Sequence, residues 1–219
     1  KYGSIFIKGG FASKGGSEIK AAKNVYTKFV DNGIIMCGEM AHIGFYCINS
    51  TINAKQVVLE SSSGHIIGGS VKAEYRVSAP IIGTELEKKT IIEISGFDRN
   101  LLKQELDNVF HSISELKNEQ QKIKGLVASM EGASVDAFKK SQYNENYERL
   151  LAIKEQIKEF EEKRKNISDY LKTRGEGEIC ITNKIYPNCT LVIKNKVLEI
   201  SEIARGVSFY FQDGEIKHT

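Results

Sequence analysis

Between residues 1 and 97, apolar and polar positions alternate over short runs, and no helical period is sustained. Ser4-Ile5-Phe6-Ile7, Asn24-Val25-Tyr26-Thr27 and Val57-Val58-Leu59-Glu60 are strand-length, rich in β-branched or aromatic residues and bounded by turns. Three further runs share one form, polar, β-branched, polar, Ala: Glu18-Ile19-Lys20-Ala21, Thr51-Ile52-Asn53-Ala54 and Ser70-Val71-Lys72-Ala73. The second and third start 19 residues apart and the first and second 33 apart, close to two steps of about 17 residues, a period in the range of stacked repeats. Such spacing predicts a β-solenoid, in which each coil supplies a few short strands and contacts only its neighbours. Alanine suits a narrow interior at a bend, and glycine supplies the positive φ of a corner. The stretch 64–85, GHIIGGSVKAEYRVSAPIIGTE, reads as the penultimate coil before a long helical segment, with Gly68, Gly69 and Gly83 as structural turn residues.

The pattern changes at residue 98. Apolar residues fall at Leu102, Leu106, Val109, Ile113, Leu116, Ile123 and Val127, a heptad seam passing over polar Gln120. Asp98 is suited to cap the helix. A break at Glu131-Gly132-Ala133-Ser134 separates this arm from a second seam at Tyr143, Tyr147, Leu150, Ile153, Ile157, Phe160, Ile167 and Leu171, with Arg164 in the seam and Gly175 as the stop. Each arm spans roughly 45 Å at 1.5 Å per residue. Two arms joined by one short break favour an antiparallel coiled-coil hairpin within one chain; a parallel coiled coil between chains is the alternative. The ends of a hairpin are adjacent, so it can be inserted into a solenoid without breaking the stack.

Residues 175–219 return to strands, among them Glu178-Ile179-Cys180-Ile181, Thr190-Leu191-Val192-Ile193 and Val207-Ser208-Phe209-Tyr210-Phe211, with a turn at Tyr186-Pro187-Asn188. They are expected to add the last coil and cover the open end of the sheet. The expected fold is therefore mainly β with long helices: a right-handed β-solenoid, 1–97 completed by 175–219, with an inserted antiparallel coiled coil over 98–174.

Charge adds little to this picture. Residues 98–174 hold 15 Lys and Arg against 14 Asp and Glu, and the remainder 16 against 14, so bulk charge does not support nucleic-acid binding. No apolar run is long enough to span a bilayer. The chain begins and ends in mid-pattern, as a fragment of a longer protein would. Cys37, Cys47, Cys180 and Cys189 form no CxxC pair or metal spacing; they read mostly as small buried hydrophobes of a reducing, cytoplasmic compartment.

The sequence offers no catalytic, cofactor or metal residues. His42 and His65 are placed in solenoid turns; as neighbours one coil apart they could act together, but unrelated exposed turn histidines are the better account, since no carboxylate or cysteine stands at ligand spacing. Gly68-Gly69 lacks the spacing and the following helix of a phosphate loop, and Ser61-Ser62-Ser63 lacks the surroundings of a nucleophile. A hexapeptide acyltransferase would repeat every six residues, and a glycan-cleaving face would need clustered carboxylates and aromatics. On the second helical arm, some of the aromatics Phe138, Tyr143 and Tyr147 exceed what a seam needs, which makes the tip a candidate partner-docking surface; a solvated tip of mixed charge is the plainer account.

The order of parts resembles a known family. GHIIGGSVKA, the following SAPIIGTE, Thr90-Ile91-Ile92-Glu93-Ile94-Ser95-Gly96, a long coiled coil and then a strand–YP–strand segment are similar to the β-solenoid region of the flagellar assembly protein A (FapA) family. Where that family often has Pro-Gly, this chain has Pro187-Asn188, and Asn tolerates positive φ. The resemblance implies a non-enzymatic bacterial cytoplasmic protein, linked to flagellar assembly or placement, with the solenoid as scaffold and the coiled coil as an arm that binds other proteins. It implies no cofactor. The alternative is a self-assembling homo-oligomer like the bactofilins or the septum-site MinC β-helix.

Overall fold

The computed structural model describes residues 3–130 and 137–219, and the side chains of 137–139 lie outside the described part. The chain divides into two compact units, Lys1–Asp98 with Thr173–Thr219, and Arg99–Lys172.

The first unit is a β-solenoid. Its strands are β1 (Ile5–Phe6), β2 (Phe11–Ala12), β3 (Glu18–Ala21), β4 (Val25–Asp31), β5 (Ile34–Cys37), β6 (Met40–Leu59), β7 (His65–Ile82) and β8 (Thr90–Ile94), then β9 (Glu178–Ile185), β10 (Cys189–Ile193), β11 (Lys196–Ile200), β12 (Ala204–Gln212) and β13 (Glu215–His218). Parallel pairing stacks them in three columns. One runs Ile19, Ile35, Ile52, Val71, Ile92, Leu191. A second runs Phe11, Val30, Cys47, Ile66 and then Ile82 and Ile185, joined where the amides of Ile81 and Gly83 donate to the carbonyls of Gly64 and Ile66. The third runs Ile5, Val25, Ala41 and, one coil on, Val57, Val77 and Ile179. These side chains point inward because strand residues alternate between faces. From Ile35 onward the first column is fully buried, and each such side chain contributes about 1.5–3 kcal/mol.

The three runs aligned by their polar, β-branched, polar, Ala form all lie in the first column. Their Ala positions stack with Cys37, Ile94 and Ile193. The coil between the first two, Ile34-Ile35-Met36-Cys37, is apolar outside as well as inside, so the pattern passes over it. The chain also turns corners differently from the expected breaks between short strands. β6 and β7 run continuously through them, and the register shifts at Ala54/Gln56 and at Ala79/Ile81, where Pro80 stands. An extra residue at a bulge bends a strand without ending it, and a proline is tolerated there because that amide is unpaired.

β9 and β10 extend the parallel stack by one more coil. The pairing then becomes antiparallel: β11 on β10, β12 on β9, and β13 on β12. The chain leaves this unit after β8 and re-enters before β9. Exit and re-entry are bonded directly, the Phe97 amide donating to the Glu176 carbonyl at 3.0 Å. Glu178, almost fully buried beside the re-entry point, has Arg76 at 3.6 Å and Arg174 at 3.8 Å.

The second unit consists of α1 (Arg99–Met130) and α2 (Ala137–Leu171). Val109, Ile113 and Ile167 form one buried cluster, and Ile123, Val127, Leu150 and Ile153 another. Pairs between the helices run in opposite order along the chain. Arg99 donates to the Leu171 carbonyl, Glu105 pairs with Lys163 and Lys117 with Glu161, and Arg149 pairs with Glu119. Tyr147, expected in the seam, is 46% exposed. Asn146 is the half-buried residue instead, so the step from Leu150 back to Tyr143 is 4 then 3, as a heptad requires. The apolar content of Tyr147 drew the seam one residue off. The break at 131–134 lies outside the described residues.

Candidate functional site

At the corner between the second and first columns the sheet bends sharply, and its polar groups are satisfied internally. Ser50 and Thr90 are buried. Ser50 Oγ accepts from the Gly33 amide and donates to the Ile48 carbonyl; Thr90 Oγ1 accepts from the Gly68 amide at 2.8 Å and donates to the Lys88 carbonyl. Gly68 and Gly69 have φ of 65° and 75°. A Cβ on Gly69 would lie 2.3 Å from the Ser50 carbonyl oxygen, so the backbones of successive coils touch here with no room for a side chain or a ligand. Gly83, φ 81°, stands against Cys189 Sγ and Tyr186. Pro187 lies between buried Tyr186 and Asn188, whose φ of 60° is the positive value a glycine would supply. The Asn188 side chain donates to the Glu87 carbonyl and its amide to the Ile200 carbonyl, which ties the turn to the loop before β8 and to β11.

His42 and His65 stand on strands β6 and β7, not in turns. The Phe6 and Tyr26 rings stack at 4.5 Å, and Tyr26 meets His42 at 5.5 Å. His42 Nε2 lies 3.2 Å from Glu60 Oε2. A second outward column brings Phe29 onto Tyr46 at 4.9 Å, with His65 next in register. These aromatic ladders are the main surface feature that the sequence reading missed. Phe6, Tyr26 and His42 each follow an inward residue of the third column, so aligning that column as well as the first would have revealed them. Offset-stacked pairs of this kind contribute about 0.5–1.5 kcal/mol beyond their buried area, and here they join consecutive coils. Ion pairs on the outer faces do the same, Lys55 with Glu39 and Lys72 with Glu93.

The cysteines divide by burial. Burial pushes the Cys47 thiol up to about 12 and those of Cys37 and Cys189 up to about 11. A raised thiol pKa leaves little thiolate near neutral pH, and the thiolate is the reactive form. Cys180 is half-buried and stands opposite Ser78 and Ser208. Maleimide treatment of the folded chain at neutral pH is expected to label Cys180 first, and the other three at comparable rates only in denaturant. Rapid native labelling of Cys47 would contradict the packing described.

On the helices, Tyr143 is half-buried against the Ile123–Leu150 cluster, and its ring stacks on exposed Tyr147 at 6.2 Å. The Phe138 side chain lies outside the described part, so of the three expected tip residues only Tyr143 and Tyr147 are placed, in contact with each other. Among the described residues no three His, Cys, Asp or Glu side chains are grouped as a metal would need, and no helix is long and apolar enough to cross a membrane.

Stacked parallel coils with three inward columns define a β-solenoid protein. The chain belongs to the FapA family: the model of the Flagellar Assembly Protein A β-solenoid domain matches residues 2–216. No curated protein and no solved structure matches it significantly.

Proposed function

We propose that this chain is a non-enzymatic scaffold or adaptor in bacterial flagellar assembly or placement, acting in the cytoplasm through protein–protein contacts. In this reading the solenoid is right-handed and the helical segment 98–174 is an antiparallel coiled-coil hairpin inserted into it. The observation that carries the reading is the column from Ile19 to Leu191, which keeps its register on both sides of the helical segment. A stack of this kind is a rigid support on which a separate element can be held. Crossovers between parallel strands are right-handed in about 98% of cases, which favours that hand. The reversed order of the pairs between α1 and α2 favours the hairpin over a parallel coiled coil between chains. Four free cysteines, three of them buried, suit a reducing compartment. Gly68, Gly69, Gly83 and Pro187 serve as turns in this account, and Tyr143 and Tyr147, with Phe138, as a docking tip.

The test is complementation of a flagellated strain lacking the protein. The intact chain within its full-length protein is expected to restore normal flagella. The same protein with 99–172 replaced by a short linker is expected to accumulate but not to restore them. Restoration without the helices would overturn the adaptor reading. Concentration-dependent filaments of the purified chain would favour the self-assembling alternative.

A further inference from the structure

The near-neutral charge count of the helical unit conceals, among the described residues, several cations without an acidic partner on one of its flanks. Ion pairs define its two flanks. Glu105 with Lys163 and Glu119 with Arg149 lie on one; Lys117 with Glu161 lies on the other. On the Lys117 flank, Arg164 stands 5.7 Å over the ring of Phe110, which is 48% exposed, and shares Glu161 with Lys117. Leu106, Phe110, Arg164, Lys165 and Ser168, with Asp169 and its partner Lys172, line a groove of about 340 Å³ there. Heptad steps from Lys117 add Lys103 and Lys124 to this flank, and steps from Glu161 add Lys154 and Tyr147. Lys103, Lys124, Lys154 and Lys165 have no carboxylate within ion-pair distance among the described residues. On α2, Glu155 and Asp169 pair with Lys158 and Lys172, and Asp169 reaches the groove beside Lys165.

We infer that the Lys117 flank of the helical unit is a docking strip for an acidic helical segment of a partner protein. The inference rests on the hairpin reading above and names the chemistry of the partner. Lys103, Lys117 and Lys124 stand on one heptad row of α1 with Phe110 at the intervening step, and Lys154 and Lys165 stand along α2, so a partner helix laid alongside, with carboxylates at a spacing of about 10.5 Å and an apolar residue facing Phe110, meets them. The groove between Leu106 and Phe110 takes one apolar side chain of such a helix, in the manner of helix-in-groove recognition. Glu161, placed mid-strip, opposes the continuous phosphate row of a nucleic acid or an anionic bilayer but fits between spaced carboxylates.

The experiment is fluorescence anisotropy on the whole chain. The probe is a labelled helical peptide of about four heptads, with Glu at every seventh position beside Leu. A labelled DNA duplex and phosphatidylserine vesicles are parallel probes. The peptide is expected to bind, and to bind more weakly as salt rises. The triple variant Lys103→Glu, Lys154→Glu, Lys165→Glu is expected to weaken binding at least tenfold and Phe110→Ser several-fold. Lys122→Glu, outside the strip, is expected to stay within twofold of the parent. The substituted side chains are solvent-facing, and equal helical circular dichroism checks that the variants fold. Absence of peptide binding, equal binding by the triple variant, or tighter strip-dependent binding of the duplex or the vesicles would each overturn the inference. A disulfide between Leu116→Cys and Ile157→Cys, which lie in one cluster, reports on the hairpin separately. If it forms and the peptide does not bind, the docking strip alone fails; if it does not form, the hairpin reading fails as well.

Discussion

Replacing Gly69 with alanine is expected to destabilise the solenoid by about 3 kcal/mol or more, near the upper end of single substitutions. Two costs combine. The residue has φ of 75°, which costs an L-residue about 1–2 kcal/mol. The new Cβ also lies 2.3 Å from the Ser50 carbonyl oxygen and 2.6 Å from its amide nitrogen. Both atoms belong to the backbone of the preceding coil, so relief requires the coils to move apart. Thermal unfolding followed by β-sheet circular dichroism is expected to drop by about 10 °C, at roughly 3 °C per kcal/mol for a unit of this size. Gly16→Ala separates the two costs. Gly16 has φ of 79° and nothing within 4 Å of the new Cβ, so it should show only the conformational part. Equal effects at both positions would mean that the coils are not in contact at Gly69.

The second large effect is expected at Ile52. It is fully buried, mid-column, between Ile35 and Val71. Truncation to alanine removes the transfer energy of the deleted atoms and leaves a cavity that neighbouring coils, held by their own ladders, cannot easily fill; the cost is about 2–5 kcal/mol. Ile19→Ala, in the half-buried first coil, should cost clearly less. Chemical denaturation of the two variants checks the gradient along the column. A loss at Ile19 equal to that at Ile52 would contradict the stacking order.

These two sites mark what could be read from the residues alone. Ile52 belongs to a repeat visible as a string, because a solenoid repeats the same inward position once per coil. The helices were legible for a similar reason, since the seam from Leu102 to Val127 keeps one period. What escaped was what the period does not encode. Cys37 occupies an alanine position, and Met36 faces out where a polar residue was expected, so the coil implied by the 33-residue gap could be counted but its residues could not be aligned. Phe6, Tyr26 and His42 align only once the strands are paired, because the loops between them differ in length. Tyr147 drew the seam by its apolar ring, although Asn146 holds the half-buried place. The charged flank of the helices was hidden in a balanced sum, because a count does not show which lysines stand without an acidic partner.

The central claim is that the solenoid is one continuous stack interrupted in sequence by a self-contained helical segment. Its most direct test is excision of residues 99–172, with Asp98 joined to Thr173 through a short Gly-Ser linker, followed by far-ultraviolet circular dichroism through a thermal scan. Phe97 and Glu176 are already hydrogen-bonded, so a short linker can bridge the gap without strain. The account predicts loss of the helical signal, retention of the β signal and a cooperative unfolding transition. A shortened chain that is unfolded or has no cooperative transition would contradict it.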